Sequence, residues 1–230
     1  MKLNQWLSAC SLLFLVSCGN PPTNKTVAAE DNETTENSVE TENKKIILFF
    51  GNSLTAGYGV QPDESFPARI QQRIDSLNLP YTVVNAGVSG ETTTGGLGRI
   101  DWVLKNQKVD IFVLELGAND GLRGIDVNET RQNLMGIIDK VEAANPDVDI
   151  ILAGMLVPPN MGMEYSKAYE AIFPEVAQQK QVDLIPFLLK GVGGVDTLNQ
   201  DDGIHPNPAG AQILADNTWV ILEKYLQEQD

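Results

Sequence analysis

The chain has a single histidine, His205, in the segment DDGIHPN. A serine hydroxyl is a poor nucleophile near neutral pH unless a base takes its proton, and the usual base is an imidazole oriented by a carboxylate. Asp202 lies in the same segment, and Ser53 follows an apolar run in LFFGNSLTAGYGV. Each residue alone is more typical of a cap, a turn or the surface. Together they predict nucleophilic catalysis by Ser53, with His205 as base and Asp202 orienting it.

Two further segments carry polar groups suited to binding a ligand. Gly90 lies in NAGVSGETTTGG, where a glycine-rich backbone can turn its N–H groups outward without obstruction by side chains. Asn119 lies in LGANDGLRG and can project a side-chain amide. Both segments come directly after predicted strands.

These residues must be positioned by an alternation of strands and helices. Continuously apolar, strand-like runs alternate with segments of helical periodicity, which predicts a parallel sheet covered on both faces. The expected fold is α/β, a three-layer α/β/α sandwich with a five-stranded parallel sheet. Predicted strands cover residues 46–50, 81–87, 110–117, 147–154 and 182–187, and predicted helices lie around 66–77, 97–104, 134–141, 165–177 and 208–226. In such sheets ligands bind beyond the carboxyl ends of the strands, which predicts a site in the loops after Phe50, Val84, Leu116, Ala153 and Phe187.

Four segments, in order, resemble the conserved blocks of the SGNH or GDSL hydrolases. The resemblance runs over residues 44–226 and implies the flavodoxin-like fold of that family and hydrolysis of acyl esters through an acyl-enzyme, with no metal or cofactor. ELGANDGLRG and VPPNMGMEY look most like the bacterial thioesterase I, lysophospholipase and arylesterase branch. The resemblance implies that Ser53 is the nucleophile, His205 the base and Asp202 the acid. It also implies an oxyanion hole formed by the N–H groups of Ser53 and Gly90 and the amide of Asn119.

One position departs from the family motif. Where the family has Gly-Asp-Ser-Leu, this chain has Gly51-Asn52-Ser53-Leu54. The asparagine oxygen can accept hydrogen bonds as a carboxylate would, but the side chain adds an NH₂ group and carries no charge. We expect activity to be retained and the Asn52→Asp change to be mild.

The segment MLVPPNMGMEY after the fourth strand predicts an apolar wall for an acyl or aryl group. The residues assigned to this wall are Met155, Leu156, Val157 and Met161. Packing in the core or in a lid is an equally good interpretation. Arg123 could meet an anionic headgroup, and a surface salt bridge is the alternative.

The N-terminal region predicts export and anchoring. Residues 1–17 have a short basic start and an apolar run too short to span a bilayer, which is typical of a signal peptide. Leu15-Val16-Ser17-Cys18 resembles a bacterial lipobox, so Cys18 is the expected lipidation site, and a chance cysteine is the alternative. Residues 18–43 are acidic and almost free of apolar side chains, which predicts a disordered tether ahead of a hydrolase domain over residues 44–230. An acidic interaction tail is the less favoured interpretation. The expected location is the bacterial cell envelope, at the outer membrane or in the periplasm.

Composition excludes several functions. A formal net charge of −15 argues against nucleic-acid binding. Cys10 and Cys18 are the two cysteines, so a processed domain offers none for disulfides, thiol catalysis or metal binding.

The G-x-S-x-G elbow of α/β-hydrolases is excluded because Thr55 occupies the position of its second glycine. Nothing singles out a carboxylate pair for glycosidase chemistry. A carbohydrate O-acetylesterase of the same family and a non-catalytic binding lipoprotein remain alternatives to an acyl esterase.

Overall fold

The computed structural model describes residues 44–226. Its centre is a five-stranded sheet in the order β2-β1-β3-β4-β5, in which all neighbouring strands are parallel. The strands are β1 (Lys45–Gly51), β2 (Tyr81–Gly87), β3 (Ile111–Glu115), β4 (Asp149–Ala153) and β5 (Asp183–Ile185). The sheet therefore has the number of strands and the parallel arrangement predicted from the apolar runs.

Helices cover the sheet in two groups, one on each face. In one group α2 packs against α7, and in the other α5 packs against both α3 and α6. The helices are α1 (Ser53–Ala56), α2 (Phe66–Ser76), α3 (Thr93–Asn106), α4 (Ala118–Arg123), α5 (Val127–Ala144), α6 (Met163–Lys180) and α7 (Pro208–Leu222). This is the predicted three-layer sandwich. No helix within residues 44–226 is long and apolar enough to cross a membrane.

The central strands are buried on both sides because helices lie on both faces of the sheet. All five residues of β3 are buried, as are the last five of β1. On β1 the aromatic ring of Phe49 meets Phe66 of α2, while Phe50 packs against Phe112 of β3. Alternate side chains of one strand thus enter the two halves of the core.

The direction in which successive strands are added to the sheet reverses at β1. From β1 the chain moves outward to β2 on one side and then returns to β3 on the other. At the carboxyl end of β1, Gly51 pairs with Gly87 of β2 and with Glu115 of β3. Crevices at such reversal points are the usual ligand sites of open parallel sheets.

Several boundaries differ from the sequence-based predictions. Helix α2 ends at Ser76, and Leu77, predicted on its apolar face, is the exposed C-cap residue. The last helix ends at Leu222 and continues only as a 3₁₀ turn, Glu223–Tyr225. The short helices α1 and α4 were not predicted, because a turn or two of helix is too short to display apolar periodicity.

A close backbone contact joins β2 to α1 and leads to a test of the fold. A Cβ atom on Gly87 would lie 2.3 Å from the backbone nitrogen of Ala56. We expect Gly87→Ala to lower the free energy of unfolding by about 1–3 kcal/mol, as overpacked sites do. Gly98→Ala is the matched control, since a Cβ atom there meets nothing within 4 Å. In helix α3 that change should stabilise by up to about 1 kcal/mol. Urea unfolding of both variants measures the difference, and equal effects would contradict the close contact.

Candidate active site

Ser53 lies where β1 gives way to helix α1. Asn52 is the N-cap residue, and its Oδ1 accepts a hydrogen bond from the Leu54 N–H at 2.9 Å. Ser53 is therefore the first helical residue, with its side chain at the end of the sheet and 8% of the residue exposed. The helix ends after one turn at Gly57, whose φ of 74° lies in the left-handed region that favours glycine.

His205 and Asp202 stand in series with Ser53. The Nε2 atom of His205 is 3.0 Å from the Ser53 Oγ, and its Nδ1 atom is 2.6 Å from the Asp202 Oδ2. The other Asp202 oxygen accepts from the backbone N–H groups of Ile204 and His205. Hydrogen bonds from the His205 backbone and side chain, and from the Ile204 N–H, lower the pKa of Asp202 to about 2.

An ionised Asp202 defines the protonation of the imidazole. A carboxylate can only accept, so the Nδ1 atom of a neutral His205 carries the proton and Nε2 is left as an acceptor. The Ser53 hydroxyl can then donate to Nε2. This arrangement allows proton transfer from the hydroxyl to the imidazole.

Two residues that the sequence analysis did not identify hold the His205 loop. The ring of Tyr58 lies against the imidazole with centroids 4.6 Å apart. Gln200 donates through Nε2 to the Tyr58 carbonyl at 2.7 Å, and its N–H donates to the His205 carbonyl at 2.8 Å. Tyr58 lies in the same predicted loop as Ser53, and that proximity was the only signal in the sequence.

Gly90 lies in the loop between β2 and α3. Its φ of 80° is a conformation that side-chain-bearing residues rarely adopt. The Arg123 guanidinium donates to the Gly90 carbonyl at 3.0 Å, so this arginine contacts the loop directly. That contact is not the surface salt bridge given as the alternative for Arg123, and it holds the glycine loop against the end of α4.

Asn119 is connected to the same loop. Its Nδ2 donates to the Glu91 carbonyl at 2.9 Å, which uses one of the two amide hydrogens. The Glu91 carboxylate in turn forms a two-pronged ion pair with Arg99, with both N···O distances 2.6 Å. Arg99 also donates to the Ala86 carbonyl at 2.8 Å and stacks over the ring of Phe50 at 3.9 Å. The glycine loop is thus clamped to the carboxyl ends of β1 and β2.

A second clamp involves the buried carboxylate of Asp120. It accepts from the Thr93 N–H at 2.9 Å, from the Thr93 hydroxyl and from the Thr130 hydroxyl. Burial raises the pKa of Asp120 despite these hydrogen bonds. The contact ties the start of α3 to α4 and α5, so the loop that carries Gly90 and the helix that carries Asn119 are joined twice.

Below Ser53 lies a buried carboxylate, Glu115, at the end of β3. Its Oε2 accepts from the Asn52 N–H, the Thr55 N–H and the Thr55 hydroxyl at 3.1, 3.2 and 2.7 Å. Its Oε1 accepts from the Asn52 side-chain amide at 2.7 Å. Burial raises the pKa of Glu115 to about 7, against the effect of these donors. A Cβ atom on Gly51 would lie 2.6 Å from this carboxylate, so only glycine fits there.

The predicted apolar wall is placed only in part where it was expected. Met155 is 1% exposed and belongs to the core, so the expectation that it lines a binding surface fails. It lies two residues beyond the end of β4 and belongs to the same hydrophobic core as that strand. Leu156 is 43% exposed, while Val157 and Met161 are half-buried. Val157 packs on α4, since a Cβ atom on Gly121 would lie 2.4 Å from it.

The N-terminal predictions cannot be placed in this structure. The signal peptide, Cys18 and the acidic tether all lie outside the described residues. Within residues 44–226 no group of three or more His, Cys, Asp or Glu side chains is arranged to hold a metal ion.

A hydroxyl, an imidazole and a carboxylate in hydrogen-bonded series at the end of a parallel sheet define the serine hydrolase class. The model of the GDSL-like lipase/acylhydrolase family matches residues 49–213. The chain belongs to this family and is an ester-hydrolysing enzyme.

Individual relatives agree with this assignment. Esterase TesA of Pseudomonas aeruginosa is 39% identical over 180 residues, which cover 78% of this chain and 89% of the relative. The thioesterase 1/protease 1/lysophospholipase L1 of Escherichia coli K12 is 38% identical over 177 residues, covering 77% and 82%. The crystal structure of the psychrotrophic esterase EstA from Pseudoalteromonas sp., inhibited by monoethylphosphonate, superposes with a TM-score of 0.75 at 32% identity. That superposition covers 79% of this chain and 98% of EstA.

Proposed function

We propose that the protein hydrolyses acyl esters or thioesters by two-step acyl transfer on Ser53. Its Oγ attacks the substrate carbonyl carbon while His205 takes the hydroxyl proton, and Asp202 stabilises the resulting imidazolium. The proton passes to the departing alcohol or thiol, leaving an acyl group on Ser53. Water activated by His205 then releases the carboxylic acid and restores the serine. The observation that carries the proposal is the hydrogen-bonded series of 3.0 and 2.6 Å through His205.

The oxyanion of the tetrahedral intermediate is proposed to bind to the N–H groups of Ser53 and Gly90 and to the Asn119 amide. Three features support this assignment. Ser53 is the first residue of α1, where backbone N–H groups have no partner within the helix. Asn119 keeps one amide hydrogen beyond its bond to Glu91. The clamps through Arg99 and Asp120 hold these donors in place before substrate arrives, which is what electrostatic catalysis requires.

The proposed substrates are lysophospholipids, aryl esters and other esters or thioesters of short-to-medium acyl chains. Support comes from exposed apolar side chains on the segments that follow the carboxyl ends of the strands: Tyr58, Val88, Leu122, Leu156 and Ile204. Leu156, Val157, Met161 and Arg123 are the proposed contacts for the substrate. No cofactor is proposed.

A carbohydrate O-acetylesterase is the second candidate, because one observation favours a small acyl group. The half-open cleft beside Ser53 and His205, lined by Tyr58, Val60 and Phe66 among others, has a volume of about 10 Å³. That is room for about one water molecule or a methyl group. A longer acyl chain must therefore lie along the open apolar surface. A non-catalytic binding lipoprotein is less consistent with the complete Ser53–His205–Asp202 series.

The triad leads to a test by non-additivity. We expect Ser53→Ala and His205→Ala each to lower kcat by at least about 10³-fold, and the double variant to be scarcely slower, because the residues act as one unit. The measurement is hydrolysis of a p-nitrophenyl ester together with labelling by an alkyl phosphonate. The phosphonate should modify Ser53 in the wild type and should modify neither Ser53→Ala nor the double variant. Losses that multiply in the double variant would contradict the triad.

The substrate proposal leads to a test with esters of graded chain length. We expect kcat/KM for p-nitrophenyl esters to rise about tenfold from acetate to hexanoate, since a chain on an open surface buries the equivalent of about two of its four added methylenes, each contributing about 0.8 kcal/mol. Leu156→Ser should reduce the value for hexanoate more than for acetate. Val220→Ser, at an exposed position of α7, is the matched control and should change neither. A maximum at acetate would favour the acetylesterase alternative.

We also propose that the enzyme is a lipoprotein of the bacterial cell envelope, at the outer membrane or in the periplasm, anchored through Cys18. The support is the lipobox-like sequence around Cys18 and the acidic composition of the segment that follows. Oligomeric state forms no part of the proposal.

The anchor leads to a labelling experiment in cells. We expect Cys18→Ser to abolish incorporation of radiolabelled palmitate and signal processing, because no acyl acceptor remains. A chain beginning at Lys44 should be soluble and active, since every residue of the proposed site lies beyond it. Palmitate labelling that persists in Cys18→Ser would contradict the anchor.

A further inference from the structure

Asn52 occupies the position of the aspartate in the Gly-Asp-Ser-Leu motif, and the structure gives its amide a specific partner. The Asn52 Nδ2 donates to the fully buried Glu115 at 2.7 Å. Its Oδ1 faces the other way and accepts from the Leu54 N–H at 2.9 Å, with the Ser53 hydroxyl 3.4 Å away. The amide cannot be turned round without opposing like groups at both ends. Asn52 therefore bridges the buried carboxylate to the residue that we propose as nucleophile.

We propose that Asn52 and Glu115 form a positioning pair for Ser53, in which the amide of Asn52 and the carboxylate of Glu115 are complementary. The proposal rests on the proposed function, in which Ser53 is the nucleophile. It makes asparagine at position 52 the partner of Glu115 and explains why the departure from the motif is compatible with activity.

The geometry around the Glu115 carboxylate supports this pairing. All four groups that contact Glu115 are donors: two N–H groups of the backbone, the Thr55 hydroxyl and the Asn52 amide. A carboxylate, which only accepts, satisfies all of them. With aspartate at position 52, two buried carboxyl groups would face each other at the present 2.7 Å and would have to share one proton.

Among residues 44–226, the groups named here around Glu115 offer no free cation to offset a second charge. On β1 and α1 the neighbours of Glu115 are uncharged Asn52 and Thr55. On α3, Arg99 is already paired with Glu91. On α6, burial and nearby acidic groups, Glu115 among them, raise the pKa of Tyr169, which stays neutral. His205 lies on the other side of Ser53 and faces Asp202.

The effect on stability has a defined sign. In the wild type the Glu115 carboxyl, with its pKa raised to about 7, keeps a proton that the unfolded chain loses near 4.5, so its contribution to stability falls between those values and is constant above them. In Asn52→Asp the shared proton is held to higher pH, so the native state keeps a proton that the unfolded chain has already lost, and stability continues to fall until that proton leaves. Thermal stability should therefore fall more steeply between pH 7 and 9 in Asn52→Asp than in the wild type.

The reversed pair provides the decisive comparison. In Glu115→Gln the glutamine oxygen stays opposite the three donors that now bind Oε2. The glutamine NH₂ then faces the Asn52 NH₂, and neither group finds an acceptor. In the double variant Asn52→Asp/Glu115→Gln the glutamine NH₂ faces an aspartate oxygen, and the other aspartate oxygen can still accept from Leu54. The amide and the carboxylate have exchanged places, and the pair is complementary again.

The experiment measures kcat, KM and Tm of the full chain from pH 6 to 9 for the wild type, both single variants and the double variant. We expect Glu115→Gln to lower kcat about tenfold at all pH values with KM within about twofold, and Asn52→Asp to do so only towards pH 9. The double variant should recover kcat to within about threefold of wild type and lose the extra pH dependence of Tm. Asn128→Asp, which adds the same charge at an exposed site on α5, is the control and should follow the wild type.

The outcomes separate the two proposals. Losses in the double variant that equal the product of the single losses, or an Asn52→Asp profile parallel to that of Asn128→Asp, would overturn the pair. If Glu115→Gln alone fails to fold and the double variant folds, that rescue supports the pair directly. If the wild type hydrolyses no ester, the proposed function fails, while the Tm measurements still decide whether the pair exists.

Discussion

The buried carboxylate of Glu115 is the contact on which the arrangement of the site depends. It lies at the end of the central strand β3 and accepts four hydrogen bonds from the turn that carries Ser53. Burying a carboxylate costs free energy unless its oxygens accept hydrogen bonds. Few arrangements of the turn on the sheet bring enough donors to Glu115 to meet this condition. Glycine at position 51 is part of the same constraint, because a side chain there would occupy the space of the carboxylate.

The remaining site loops are joined to one another by charged groups placed at the sheet edge. Arg99 and Glu91 hold the glycine loop to the ends of β1 and β2, and Asp120 ties that loop to α4 and α5. These contacts are partly or fully shielded from water, so they are worth more than surface ion pairs. A loop held in this way keeps its hydrogen-bond donors aligned, and alignment before the reaction is the main source of oxyanion stabilisation.

Asp202 and His205 are held differently from Ser53. Asp202 is 38% exposed in its side chain, and its position comes from backbone N–H groups of its own loop rather than from burial. The Tyr58 ring and Gln200 link that loop to the turn after Ser53. The site therefore combines a serine fixed to the core with a histidine and an aspartate fixed by local hydrogen bonds.

The sequence by itself determined the alternation of strands and helices, the parallel sheet and the grouping of Ser53, Asp202 and His205. These features follow from local apolar periodicity and from the chemistry that a single histidine permits. Short helices such as α1 were missed because one turn has no periodicity to detect. The burial of Met155 was not determined either, because an apolar side chain suits both a core and a binding wall.

Only the tertiary structure decided which polar side chains meet. Asn52 and Glu115 are 63 residues apart, and they face each other because β1 and β3 pair in the register that sets Gly51 beside Glu115. Likewise, Arg99 reaches the Ala86 carbonyl at the end of β2 only when helix α3 has packed on the sheet. Sequence patterns report how much of each segment is buried, whereas the partner of a buried charge depends on strand register and helix packing, which no local pattern encodes.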